Sequence, residues 1–96
     1  MNPSKVVREK VQKLTDLPNI GVSMAKDLRF IGINTPDDLQ GKDPFELYKN
    51  LCVKTGTRQD PCVLDTFMSI TDFMNGGEPK AWWEYTQKRK KESYGL

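Results

Sequence analysis

The sequence predicts an all-α fold, a compact domain of five or six helices, and three observations carry that expectation. Apolar residues recur at helical spacing along most of the chain, as in Val63, Leu64, Phe67, Ile70, Phe73 and Met74, and no alternating strand pattern competes. A cap-forming residue stands before proline at Asn2-Pro3, Thr35-Pro36, Asp43-Pro44 and Asp60-Pro61, the chemistry with which helices begin. Glycines follow the same segments, at Gly32, Gly41, Gly56 and Gly76-Gly77, where helices close.

Taken in order, helices are expected near residues 3–14, 22–31, 36–40 as a single turn, 44–55, 61–75 and 79–91. A tight Pro18-Asn19-Ile20-Gly21 turn joins the first two. Pro18 does not fit inside a helix, and Asn19 and Gly21 tolerate the positive φ of a sharp reversal. Ile20 can plug the gap between the two helices, while Ala25 and Leu28 face back toward Leu14 and Leu17. In the segment from 44, Phe45, Leu47, Tyr48, Leu51 and Cys52 form a broad apolar face, and Asp43-Pro-Phe-Glu46 can complete a capping box. The segment from 61 is apolar over most of its circumference and leaves only a narrow stripe of Asp65, Ser69 and Asp72, which makes it the central helix. In the last segment Trp82 and Tyr85 share a face that docks on the bundle, with Trp83 to one side. Its Lys88-Arg-Lys-Lys91 end suits a helix C-terminus; alternatively, it adds phosphate contacts and an exposed tryptophan stacks on a base.

A chain of 96 residues is read as one domain, 1–96, with a basic C-terminal tail at about 88–96. That size carries a modest core and favours a binding module over an elaborate active-site cleft. The net charge of +2 is unevenly spread: +3 over residues 1–30, −4 over 31–79 and +3 over 80–96. Lys5, Arg8, Lys13, Lys26 and Arg29 would form a positive patch if the fold gathers them beside the turn, and a solvated helix face if it does not. The chain has no histidine, which removes the commonest general base and metal ligand. Cys52 and Cys62 lack zinc-ligand spacing and read as buried structural thiols, with a redox pair as the alternative. Neither catalytic nor metal-binding residues are expected, nor a cofactor or small-molecule substrate. No apolar run reaches membrane-spanning length, and the Asn2-Pro3-Ser4-Lys5 start has no signal-peptide core, so no membrane association and a cytoplasmic location are expected.

The backbone N–H groups near Gly21 to Ser23 are orphan donors at a helix start and favour an anion. The stretch resembles the helix-hairpin-helix motif of SAM-like folds, in which an apolar residue, Pro, Gly, an aliphatic residue and Gly precede three variable residues and Ala. Leu17, Pro18, Ile20, Gly21 and Ala25 match, and Asn19 replaces the first Gly. The resemblance implies contact with a DNA phosphate backbone. Asn19, Gly21, Val22 and Ser23 would offer N–H groups, Ile20 would anchor the hairpin, Lys26 would reach a phosphate one turn on, and Arg29 completes the candidate DNA-binding set. Such contact reads no bases, so it is expected to be sequence-independent and steeply salt-dependent.

The succession continues with Ile31-Gly-Ile-Asn-Thr-Pro-Asp-Asp-Leu39, Asp43-Pro-Phe-Glu-Leu-Tyr48, Asp60-Pro-Cys-Val-Leu-Asp-Thr-Phe67 and Trp82-Trp83. It resembles, over nearly the whole chain, a small bacterial helix-hairpin-helix family labelled pathogenicity locus, some members of which carry a mitomycin-resistance label. Leu17 to Leu39 is also similar to the C-terminal domain of TfoX-type competence regulators. Three readings follow. The first is a non-catalytic DNA-binding module; the second is a protein-interaction or self-association module using the same helix pair. The third, an enzyme on damaged DNA, is disfavoured, because the chain is too short for a glycosylase's second helical domain and has no Lys and Asp in the expected relation to the hairpin.

Overall fold

Among the described residues the chain forms four α-helices, α1 (Val22–Phe30), α2 (Pro44–Thr55), α3 (Pro61–Met74) and α4 (Thr86–Glu92), of which α2 and α3 begin at the expected Asp-Pro caps. The structure is a computed structural model and describes residues 2–92. Short 3-10 turns occupy Pro3–Lys5, Arg8–Lys10, Leu14–Asp16, Pro36–Leu39 and Trp82–Tyr85, and no strand occurs among the described residues. The Cα radius of gyration of 12.3 Å is close to the value of about 12.5 Å that a packed chain of this length adopts. Among the described residues no helix is long and apolar enough to cross a membrane.

The caps act largely as the sequence predicts. Asp43 accepts from the N–H of Phe45 at 2.9 Å, Asp60 from that of Cys62 at 3.0 Å and Asn2 from that of Ser4 at 3.1 Å. Thr35 makes no side-chain cap; Asp38 reaches back instead, its Oδ2 accepting from the N–H groups of Asn34 and Thr35 at 2.9 and 3.1 Å. Glycine closes α2, where Gly56 sits at φ 68°, a conformation that costs other residues a Cβ clash. At the end of α1, Lys54 Nζ from α2 lies 3.4 Å from the Phe30 carbonyl, a cation placed at the negative end of a helix.

The expected first helix, 3–14, does not form. Residues Val6, Val7 and Val11 stand in extended conformation between isolated 3-10 turns. Their β-branched side chains give little local support to a helix, and tertiary bonds take its place. The Arg8 guanidinium donates to the carbonyls of Phe73, at 3.0 Å, and Gly77, and lies 4.6 Å from the centre of the Phe73 ring. Asp16 Oδ2 accepts from the N–H groups of Gln12 and Lys13 at 3.1 and 3.0 Å and draws the chain into the Leu14–Asp16 turn.

The core forms around α3, which meets α2, the Pro36–Leu39 turn, the Trp82–Tyr85 turn and α4. Leu17, Leu28, Leu39, Leu51, Leu64, Phe67 and Ile70 are fully buried in it. Asp65 and Ser69 of the polar stripe of α3 are buried, while Asp72 stays exposed. Asp65 is buried and pairs with Arg89 Nε at 2.8 Å, and it accepts from the Thr86 hydroxyl at 2.8 Å. Ser69 donates to the Lys80 carbonyl at 2.7 Å, and Asp72 accepts from the Tyr85 hydroxyl at 2.6 Å. Spaced at i, i+4 and i+7, the three lie on one helix face and form the seam on which the C-terminal segment docks.

That seam also shortens the last helix. The expected element 79–91 begins only at Trp82, as a 3-10 turn, and becomes α-helical at Thr86. Pro79 disfavours helical backbone at Glu78, Ser69 takes the Lys80 carbonyl, and Glu84 Oε2 takes the Ala81 N–H at 3.0 Å. Tyr85 is buried, as a docked aromatic face requires, but Trp82 is only half-buried and Trp83 is 61% exposed. Of the basic tail, residues 93–96 lie outside the described residues.

Candidate nucleic-acid interface

The hairpin is built from the Leu14–Asp16 turn, Pro18 to Gly21 and α1. Ile20 is buried between the two arms, and Ala25 and Leu28 turn inward beneath it. Positive φ falls on Asn19 alone, at 69°. Gly21 does not share it: its φ and ψ of −94° and −173° are extended backbone that any residue adopts, because the reversal is complete by Asn19. A Cβ added at Gly21 would meet nothing within 4 Å. Neither conformation nor internal packing therefore calls for glycine there.

Asn19 has a second role that its backbone does not reveal. Its Nδ2 donates to Ser69 Oγ and to the Lys80 carbonyl, both at 2.9 Å, and its Oδ1 accepts from the Trp82 N–H at 3.2 Å. The side chain thus ties the turn to α3 and to the C-terminal segment, contacts that a glycine at this position would not make.

α1 begins without a side-chain cap. Its first residues are exposed, Val22 at 78% with Gly21 and Ser23 beside it. Val22, Lys26 and Arg29 follow one another at i, i+4 and i+7 on the exposed face. Neither Lys26 nor Arg29 makes an ion pair or hydrogen bond among the described residues. Two members of the expected patch stand apart from it: Arg8 is committed to the C-terminal end of α3, and Lys5 lines a separate cleft with Asp16. Arg89 of the basic tail is likewise committed, to Asp65.

Beside the hairpin lies a cleft of about 400 Å³ lined by Pro3, Asn19, Ile20, Gly21, Trp82 and Trp83. The two indole rings meet edge to face, with centroids 5.6 Å apart and planes at 83°. The sequence spacing alone does not bring Trp82 and Trp83 to Gly21, which lies about sixty residues earlier; the Asn19 side chain does. A polar stripe on an otherwise apolar α3 was the available signal that something docks there.

Titratable groups show where charge is held. The backbone N–H groups of Gln12 and Lys13 hold the Asp16 carboxyl below its usual range, and those of Asn34 and Thr35 do the same for Asp38. Burial and then the Asp72 hydrogen bond push the Tyr85 hydroxyl well above an ordinary phenol. Burial also raises the Cys62 thiol, so at neutral pH it stays protonated. Both cysteines are free and only partly buried, and Cys52 Sγ accepts from the Gln59 N–H at 3.3 Å. Among the described residues no three of His, Cys, Asp and Glu converge to hold a metal ion.

The family described as pathogenicity locus (Cdd1) matches residues 7–91. A curated relative, the mitomycin resistance protein McrB of Streptomyces lavendulae, is 44% identical over 78 residues, which are 81% of this chain and 74% of the relative. No solved structure matches the chain. The family match runs from the extended N-terminal arm through the hairpin and the docking seam into α4, so this protein belongs to the pathogenicity locus family.

Proposed function

We propose that this protein is a non-catalytic module that holds a DNA phosphate backbone, largely without regard to sequence, at the start of α1. The Leu14–Phe30 unit is read here as a helix-hairpin-helix whose first arm is reduced to one 3-10 turn. The observation that carries the proposal is Gly21: it is exposed, not required for φ, has open space where a Cβ would stand, and precedes uncapped N–H groups. A residue without a side chain at such a place lets a phosphate come close to the backbone. Lys26 and Arg29 extend the same exposed face as cations without an ion pair among the described residues.

The test is fluorescence anisotropy of labelled DNA at several salt concentrations. Binding falls with salt with a slope of about −0.9 per phosphate contacted. Gly21→Val and Lys26→Glu weaken it while circular dichroism stays native, as the open space at Gly21 allows. Retained affinity in both folded variants would remove the proposal. The name of the Streptomyces relative adds a cellular arm: expression of this chain raises tolerance to mitomycin in a sensitive host, and Gly21→Val abolishes the gain.

The second reading, docking on a protein or on a second copy, draws on Val22 and Phe30, which are 78% and 53% exposed at the two ends of α1. Light scattering across a concentration series separates the two: a rising mass that Val22→Ser abolishes favours self-association.

A further inference from the structure

Of the surface clefts, the one beside the hairpin differs in chemistry from its neighbours. Three others are rimmed by carboxylates, namely Asp38, Asp43 and Glu46 in the first, Asp16 in the second, and Asp72 and Glu92 in the third. The hairpin cleft has none; it is lined by Pro3, Asn19, Ile20, Gly21, Trp82 and Trp83. Its volume of about 400 Å³ lies within the range of about 300–1,000 Å³ typical of small-molecule pockets. Trp82 is set by its N–H bond to Asn19, and Trp83 stands edge to face against it with 61% of its surface exposed. A rigid indole with a free face, in an apolar cleft without negative charge, fits an aromatic ring carried on an anionic chain.

We propose that this cleft takes an unpaired nucleobase of a single-stranded DNA segment, stacked on Trp83, while the adjoining phosphate lies at Gly21. The proposal rests on the DNA-binding reading above and names the form of DNA preferred. Bases in a duplex have both faces covered by their neighbours, so only a frayed end, gap or single strand presents a free face to Trp83.

The chain has two tryptophans and both line this cleft, so selectively excited tryptophan emission reports on this site alone. The experiment titrates the protein with a short oligothymidylate, an abasic oligonucleotide of equal length and a duplex, following anisotropy and tryptophan emission together. Oligothymidylate is expected to quench the emission and to bind about tenfold tighter than the abasic strand. Trp83→Ala is expected to reduce oligothymidylate affinity to the abasic level, Trp83→Phe to retain part of the gain, and both to leave abasic binding unchanged. Equal binding of the two single strands without quenching, with Gly21→Val still weakening all three ligands, overturns the base-stacking proposal and leaves backbone binding standing. Absence of binding by all three overturns both.

Discussion

The Oδ1 of Asn19 accepts the backbone N–H of Trp82 at 3.2 Å, across 63 residues of sequence. The same side chain donates to Ser69 and to the Lys80 carbonyl. One amide therefore holds the turn, the central helix and the C-terminal segment together. It places the tryptophan cleft against the start of α1. Asn19→Gly keeps the φ of 69° accessible and deletes the three bonds. With each bond contributing about 0.5–1.5 kcal/mol net, urea unfolding is expected to show a loss of about 2–3 kcal/mol. Tryptophan emission is expected to shift to the red as Trp82 loosens. An unchanged midpoint would mean that the seam stands without this residue.

Asp65 and Arg89 form a nearly enclosed pair, with side-chain exposures of 1% and 11%. Arg89→Ala leaves a buried carboxylate without its ion-pair partner and is expected to cost about 3–5 kcal/mol. Replacing both partners, as Asp65→Leu with Arg89→Met, is expected to recover most of that loss, because neither charge then has to be kept from water. Thermal melts of the two single variants and the double variant form the cycle that tests this.

Gly77 and Gly21 provide a matched comparison. A Cβ at Gly77 would lie 2.6 Å from Asp72 Oδ1, on the carboxylate that accepts from Tyr85. Gly77→Ala is expected to destabilise by about 1–3 kcal/mol through displacement of that carboxylate. Gly21→Ala meets nothing and is expected to cost under about 1 kcal/mol, the difference between glycine and alanine as an N-cap. Equal losses at both sites would contradict the packing described here.

Stability is expected to fall at both ends of the pH scale for different reasons. The carboxyls of Asp16, Asp38 and Asp60 are held below 3.8, chiefly by backbone N–H bonds. Because the folded values lie below the unfolded one, their contribution is complete above about pH 4 and is lost as pH falls through the folded values. Replacing all three by Asn is expected to flatten the acid limb. Tyr85 behaves in the opposite sense: its folded value is raised, so its contribution is complete below about pH 10 and declines as pH rises beyond it. Tyr85→Phe is expected to remove that alkaline decline; urea midpoints across the pH range test both limbs.

The sequence by itself determined what acts over a few residues. Asp43-Pro44 and Asp60-Pro61 begin helices, Gly56 ends one, and the apolar circumference of 61–74 makes α3 central. Family membership was equally legible, since a succession of local motifs carries it. Tertiary structure decided the rest, because it depends on groups far apart in the chain. Arg8 left the expected patch for carbonyls at the end of α3, 65 residues away, and the first helix was lost with it. The polar stripe of Asp65, Ser69 and Asp72 becomes a docking seam only because Arg89, Asn19 and Tyr85 reach it from distant segments. A buried polar group must find a partner, but its periodicity states only that a partner is needed; which residue supplies it is settled when the chain closes on itself.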